Sequence, residues 1–139
     1  MLIDDNEADN VYHAIVLRRA GFAGELTAHE SAEAALEALV RDASPDKSTL
    51  ILLDINMPGM DGFQFVDAAA AVLVRQRSIV LVMLTSSSAD RDLRRAKETP
   101  LIRDYVIKPL VVELVEKMLE KHFSPSGKGA GLPLPNRPM

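Results

Sequence analysis

Six consecutive residues, Ile79-Val-Leu-Val-Met-Leu84, are apolar, with no polar position among them. A strand with one wet face alternates apolar and polar residues, so an unbroken run of this length reads as a strand buried on both faces. Such strands belong to parallel sheets, whose crossover connections lay helices on both sides. Three further apolar segments recur along the chain, Leu2-Ile3, Leu50-Ile-Leu-Leu53 and Tyr105-Val-Ile107, and Glu25-Leu-Thr-Ala28 is a fifth, less apolar one.

Helical patterns lie between them. After Ser31, a residue suited to capping, Ala32, Ala35, Leu36, Leu39 and Val40 follow the i, i+3, i+4, i+7, i+8 spacing that lays one stripe along a helix. Val111, Leu114, Val115, Met118 and Leu119 repeat the pattern near the end. Glu7 to Ala20, stopped by Gly21, and Phe63 to Arg77 are expected to be helices as well. Ala89 to Glu98 is the most polar helical stretch, and Pro100 ends it. Strand and helix therefore alternate as (βα)5, an α/β chain, and right-handed crossovers favour an open, doubly wound, five-stranded parallel sheet. With 139 residues, 47% of them hydrophobic, the chain has room for one domain, taken as residues 1–123. Ser124 to Met139 is rich in Pro and Gly without periodicity and is expected to be a disordered tail. Its Gly127-Lys-Gly-Ala-Gly131 lacks the strand, helix and spacing of a phosphate loop. Only Met1, Leu2 and Ile3 precede the first acids, so residues are expected to be missing from the start of strand one.

Several function classes drop out. The chain has no cysteine, which excludes disulfides, thiolate metal sites and a cysteine nucleophile, and fits a reducing compartment such as the cytoplasm. No apolar run approaches the ~20 residues of a membrane span, and the N-terminus lacks a signal-peptide pattern, so no membrane insertion is expected. A net charge of -4 argues against direct binding of nucleic acid. A small acidic protein that binds protein partners fits better.

In open doubly wound sheets, ligands sit beyond the carboxyl ends of the strands. Those ends carry Asp4 and Asp5 after the first strand, Asp54 after the third, Thr85 and Ser86 after the fourth, and Lys108 after the fifth. Carboxylates so close raise one another's pKa, a cost that a hard divalent cation relieves. Mg²⁺ takes a few carboxylates and keeps waters and a phosphate oxygen. These residue types suit phosphoryl transfer to Asp54, with metal and Lys108 neutralising phosphoryl oxygens and a small hydroxyl donating to one of them. Taken singly, each has a plainer reading. Paired acids favour a helix N-terminus, Asp54 could be a turn residue, Thr85 a strand-end hydroxyl and Lys108 a solvated charge. Their convergence on one sheet edge argues for a site. His13, His29 and His122 lack metal-ligand spacing and receive no role.

Leu2-Ile-Asp-Asp-Asn6, Leu53-Asp-Ile-Asn-Met-Pro-Gly-Met-Asp-Gly62, Leu84-Thr-Ser86 and Tyr105-Val-Ile-Lys-Pro109 stand in order at four strand ends. Together they resemble the receiver domain of bacterial two-component response regulators, in its single-domain, chemotaxis-type form, from about residue 2 to 123. The resemblance implies a flavodoxin-like strand order 2-1-3-4-5. It implies that Asp54 is a phosphoacceptor served by a histidine kinase or a histidine phosphotransfer protein. By the same likeness Asp5, Asp54 and the backbone carbonyl of Asn56 would bind Mg²⁺ directly, with Asp4 acting through water. Thr85 matches the switch hydroxyl and Lys108 the phosphate-pairing lysine, and the Lys108-Pro109 bond is often cis in the family. Tyr105 matches the aromatic residue that turns inward when the hydroxyl moves, unless it is plain packing, and the surface of helix four, strand five and helix five would then signal to a downstream protein target. Asn56 and Ser87 stand where the family varies and tunes phosphoryl lifetime.

Such a chain would be a switch with at most self-phosphorylation and autodephosphorylation activity. Since no output domain follows helix five, its outlet would be a docked partner or onward phosphotransfer. Two alternatives remain. An aspartyl-phosphate hydrolase would carry a second acid two positions after the first, where this chain has Asn56. A non-phosphorylated pseudo-receiver scaffold would lack required side chains, and all of them are present. Pro58-Gly59 supplies the fixed φ and the positive φ of a turn leading from Asp54 to a third helix capped by Asp61.

Overall fold

The structure, a computed structural model, describes residues 1–86 and 89–123. Ser87 and the whole of the expected tail lie outside the described residues. The element order is β1 (Leu2–Ile3), α1 (Glu7–Arg19), β2 (Ala28–His29), α2 (Ala32–Asp42), β3 (Thr49–Leu53), α3 (Gly62–Arg75), β4 (Ile79–Thr85), α4 (Asp90–Lys97), β5 (Ile102–Ile107) and α5 (Val112–Phe123). All ladders are parallel and the strand order is β2-β1-β3-β4-β5, a flavodoxin-like α/β sheet.

Alternation along the two central strands divides the core. Leu50 and Leu52 of β3 and Val80, Val82 and Leu84 of β4 meet Val16 and Leu17 of α1 and Val115 and Met118 of α5. Ile51, Leu53, Ile79, Leu81 and Met83 face α2, α3 and α4 through Leu39, Phe65, Val66 and Ala96. Every residue of β4 is buried, as the unbroken apolar run requires of a strand covered on both sides.

Helix ends follow their capping chemistry. Ser31 Oγ accepts the Ala34 N–H at 3.1 Å, as expected from its place before α2. Asp61 and Gln64 form a reciprocal capping box at the start of α3, and Gly21, with φ +99, follows the end of α1. Among the described residues, no helix is long and apolar enough to cross a membrane.

Some local expectations shift. Strand β2 begins at Ala28 and is not Glu25–Ala28, because Leu2 pairs with Ala28 and Ile3 with His29, and the ladder extends only as far as two-residue β1. Strand β5 starts at Ile102, with a register break opposite Leu81/Val82 that its mixed polar sequence hides. On α2, Val40 is exposed and Ala38 is buried, since packing against α3 rotates the buried stripe toward small side chains. Val111, expected on the stripe of the last helix, lies just before α5 and is likewise exposed, while Val115 and Met118 of the helix carry the contact.

Gly62 is the tightest joint of the scaffold. Its N–H donates to the Ile55 carbonyl at 2.8 Å, and a Cβ there would lie 2.6 Å from the Asp54 carbonyl oxygen and 2.9 Å from Ile55 Cα. The start of α3 thus lies directly against the backbone that carries Asp54. Gly62→Ala is expected to destabilise the fold by about 1–3 kcal/mol, as overpacking against unyielding backbone does, read as a lower urea midpoint at unchanged slope.

Candidate functional site

The carboxyl ends of β1, β3, β4 and β5 bring the site together. Asp54 stands one residue beyond β3, and its N–H still donates to the Ile3 carbonyl at 2.9 Å, so the sheet ladder itself fixes its position. Asp4, one residue beyond β1, is held the same way by the His29 carbonyl at 3.1 Å. Carboxylate oxygens of Asp4, Asp5 and Asp54 all lie within 4.8 Å of one another. Asp4 and Asp54 are buried, at 3% and 8% exposure, whereas Asp5 is exposed.

Asp4 is heavily engaged. Its Oδ1 accepts the Asn6 N–H at 3.0 Å, its Oδ2 accepts from Lys108 Nζ at 2.8 Å, and its backbone carbonyl accepts from Asn10 Nδ2 at 2.9 Å. The Asp5 carboxylate, by contrast, makes no hydrogen bond or ion pair among the described residues. The three carboxylates are a donor set that fits a hard divalent cation: oxygen ligands only, close enough to share one ion, with an exposed member at the mouth. Asp4, each of whose carboxylate oxygens already accepts from a protein donor, is the most constrained of the three.

Lys108 follows β5, and its N–H donates to the Thr85 carbonyl at 2.8 Å, tying the last two strand ends together. The Lys108-Pro109 peptide is cis, as the family likeness implied. The ammonium contacts Asp4 Oδ2 at 2.8 Å and Asp9 Oδ2 at 2.9 Å, and stands 3.8 Å from Asp54 Oδ1. Burial works against this charge, but the hydrogen bonds to Asp4 and Asp9, with the nearby Asp54 charge, hold its pKa above the ordinary lysine value. Burial pushes the Asp54 carboxyl up from 3.8 to about 6; Lys108 opposes the shift, Asp4 and Asp5 reinforce it, and the Ile55 N–H opposes it.

The remaining expected residues lie around this cluster. Thr85 is fully buried at the end of β4, paired in register with Ile107. Asn56 is exposed on the loop after β3. That loop turns at Gly59, with φ +78, and is anchored by Glu33 of α2, whose Oε2 accepts the Met60 N–H at 3.2 Å. Tyr105 is half-buried on β5, opposite Met83. Burial raises the pKa of its hydroxyl, and the Asp92 charge on α4 adds to this.

Three residues of α1 join the site without having been expected there. Asp9 grips Lys108, Asn10 braces Asp4, and His13 is buried beneath them at 3% exposure, its pKa lowered by burial and by the Lys108 charge. The pattern held one faint signal. The inward positions of α1 are Asn10, His13, Val16 and Leu17, so its buried face turns polar over its first half. An amphipathic reading registers that only as weak periodicity.

The raised Asp54 pKa makes a stability prediction. Between 3.8 and about 6 the folded protein holds a proton that the unfolded chain has released. Stability therefore falls as pH rises through that window, and the cost is complete above it, at about 3 kcal/mol for a shift of this size. In metal-free buffer, Asp54→Asn is expected to raise the thermal midpoint at neutral pH, with the gain shrinking as pH falls toward about 4. Equal midpoints at neutral pH would contradict a strained carboxylate.

A sequence profile described as the response regulator receiver domain matches residues 1–120. The chain is 33% identical over 127 residues to a probable methanogenesis regulatory protein, FilR2, of Methanothrix harundinacea, covering 87% of this chain and 78% of that one. It is 34% identical over 101 residues to the response regulator protein FleR of Pseudomonas aeruginosa, covering 70% of this chain but only 19% of FleR. Among solved structures, a response regulator receiver protein from Dyadobacter fermentans superposes with a TM-score of 0.77 at 29% identity, covering 88% of this chain and 94% of the other.

Proposed function

The chain belongs to the response regulator receiver domain family, and from that premise we propose that it is a phosphorylation switch whose acceptor is Asp54. The observation that carries the reading is the meeting of Asp4, Asp5 and Asp54 within 4.8 Å, with the Lys108 ammonium 3.8 Å from Asp54. An Asp54 carboxylate oxygen attacks the phosphorus of a phosphohistidine; the new P–O bond forms as the P–N bond breaks, and the imidazole leaves with the electron pair. Asp5, Asp54 and the Asn56 carbonyl would hold Mg²⁺, with Asp4 through water, and the bound ion would neutralise phosphoryl oxygen charge. Lys108 pairs with a second phosphoryl oxygen and the Thr85 hydroxyl donates to another.

The donor is a histidine kinase or a histidine phosphotransfer protein, and the compartment is the cytoplasm. The output face is built by α4, β5 and α5, where Leu93, Lys97, Asp104, Tyr105, Leu114 and Lys121 are among the residues around a hollow of about 380 Å³. Movement of Thr85 toward the phosphoryl group lets the Tyr105 ring turn inward and reshapes this hollow for a protein partner. Shifting such an equilibrium from 10:90 to 90:10 takes ~2.6 kcal/mol, within reach of one or two charge-assisted hydrogen bonds. Hydrolysis of outside phosphate esters is disfavoured, since the position where such an enzyme would keep its second acid is Asn56.

Acetyl phosphate with Mg²⁺ is expected to label the wild-type chain and not Asp54→Asn, scored by intact mass or radiolabel; undiminished labelling of the variant would refute the assignment. Chelation of Mg²⁺ by EDTA is expected to suppress labelling of the wild type to background. Lys108→Ala is expected to be labelled yet to leave the amide NMR shifts of α4, β5 and α5 in their unphosphorylated positions.

A further inference from the structure

Lys108 is shared with a residue outside the three-carboxylate cluster. Its ammonium has three protons to donate, and the short contacts, 2.8 Å to Asp4 and 2.9 Å to Asp9, direct two of them away from Asp54, which stands at 3.8 Å. The two grips differ in kind. Asp4 is 4% exposed at its side chain and is locked by the Asn6 N–H and by Asn10. Asp9 is 40% exposed at its side chain, and its carboxylate has no other hydrogen bond among the described residues. Its backbone is pinned all the same, because the capping residue Asn6 accepts the Asp9 N–H at 3.1 Å through Oδ1.

We infer that Asp9 is a positioning residue that holds the Lys108 ammonium on the α1 side of the pocket, in competition with the oxygens on Asp54. The inference rests on Asp54 being the phosphoacceptor and deepens that reading into a regulatory one. A phosphoryl group on Asp54 finds one ammonium proton uncommitted, but drawing the lysine in from 3.8 Å works against its short contact to Asp9, so Asp9 sets the threshold at which the lysine moves. Removing its carboxylate pre-releases the lysine toward Asp54. Glu7 offers a matched control, being an exposed acid in the same first turn of α1 without a contact to Lys108 among the described residues.

The test uses the full chain and beryllofluoride, an anion that takes the place of a phosphoryl group on a carboxylate, titrated in Mg²⁺ and followed by ¹⁹F NMR. Asp9→Ala is expected to bind it about three- to tenfold more tightly than wild type, the scale of a half-exposed charge-assisted hydrogen bond. Asp9→Asn is expected to shift in the same direction by less, and Glu7→Ala to stay within about twofold of wild type, as a solvated charge does. Tightening by Glu7→Ala equal to that of Asp9→Ala would reduce the effect to net charge and overturn the inference, as would unchanged or weaker binding by Asp9→Ala. A crystal structure of metal-free Asp9→Ala gives a second readout: Lys108 Nζ is expected to close from 3.8 Å to hydrogen-bond distance from Asp54, and an unmoved ammonium would overturn the positioning role. If wild type failed to bind beryllofluoride at all, the phosphoacceptor reading would fall, while the lysine position in that crystal would still decide the role of Asp9.

Discussion

The Lys108 ammonium is the cation placed among carboxylates that three separate parts of the chain supply: Asp4 after β1, Asp54 after β3 and Asp9 on α1. Burying Asp4 and Asp54 without it would leave negative charge in a site of low polarity, at a cost of several kcal/mol for each ion. The compensation is partial. Asp54 keeps a raised pKa even beside the lysine, because burial outweighs the attraction and Asp4 and Asp5 add repulsion. A pocket left short of positive charge in this way favours the arrival of a cation, and it is the electrostatic setting in which an acid can be made to exchange partners.

The rest of the fold keeps that imbalance in place. Five parallel strands set their carboxyl ends along one edge, and the reversal of strand order between β1 and β3 opens the crevice there. Asp4 and Asp54 remain on the sheet's hydrogen-bond ladder, so neither can retreat to solvent without breaking it. Gly62 lets α3 press against the Asp54 backbone from the other side, and Glu33 ties down the loop between them. The strained acid thus sits on rigid elements, whereas Asp5 beside it and Asp9, which holds Lys108, reach water.

Legibility in the sequence followed the strength of the local physics. The buried strands, the Ser31 and Asp61 caps and the Gly59 turn were readable because each depends on a few neighbouring residues. The acids and the lysine were readable as strand-end residues. What failed were features set by distant partners. The position of β2 depends on where β1 offers a ladder, and the exposure of Val40 depends on how α3 packs against α2. Asp9 and His13 carry no local signal of a site, because acids at a helix start are common and a lone histidine has several uses. Nothing local says that this stretch of α1 faces Lys108, some hundred residues away.

Chain pattern alone was enough for the α/β alternation, the double burial of the central strands and the roster of charged groups at one sheet edge, because periodicity, caps and strand ends are properties of contiguous residues. Tertiary structure alone decided which carboxylates hold the lysine, how far Asp54 is pushed from its ordinary acidity and which side of α1 lines the pocket. Those are matters of distance and solvent exclusion between segments far apart in the chain, and they exist only once both faces of the sheet are covered.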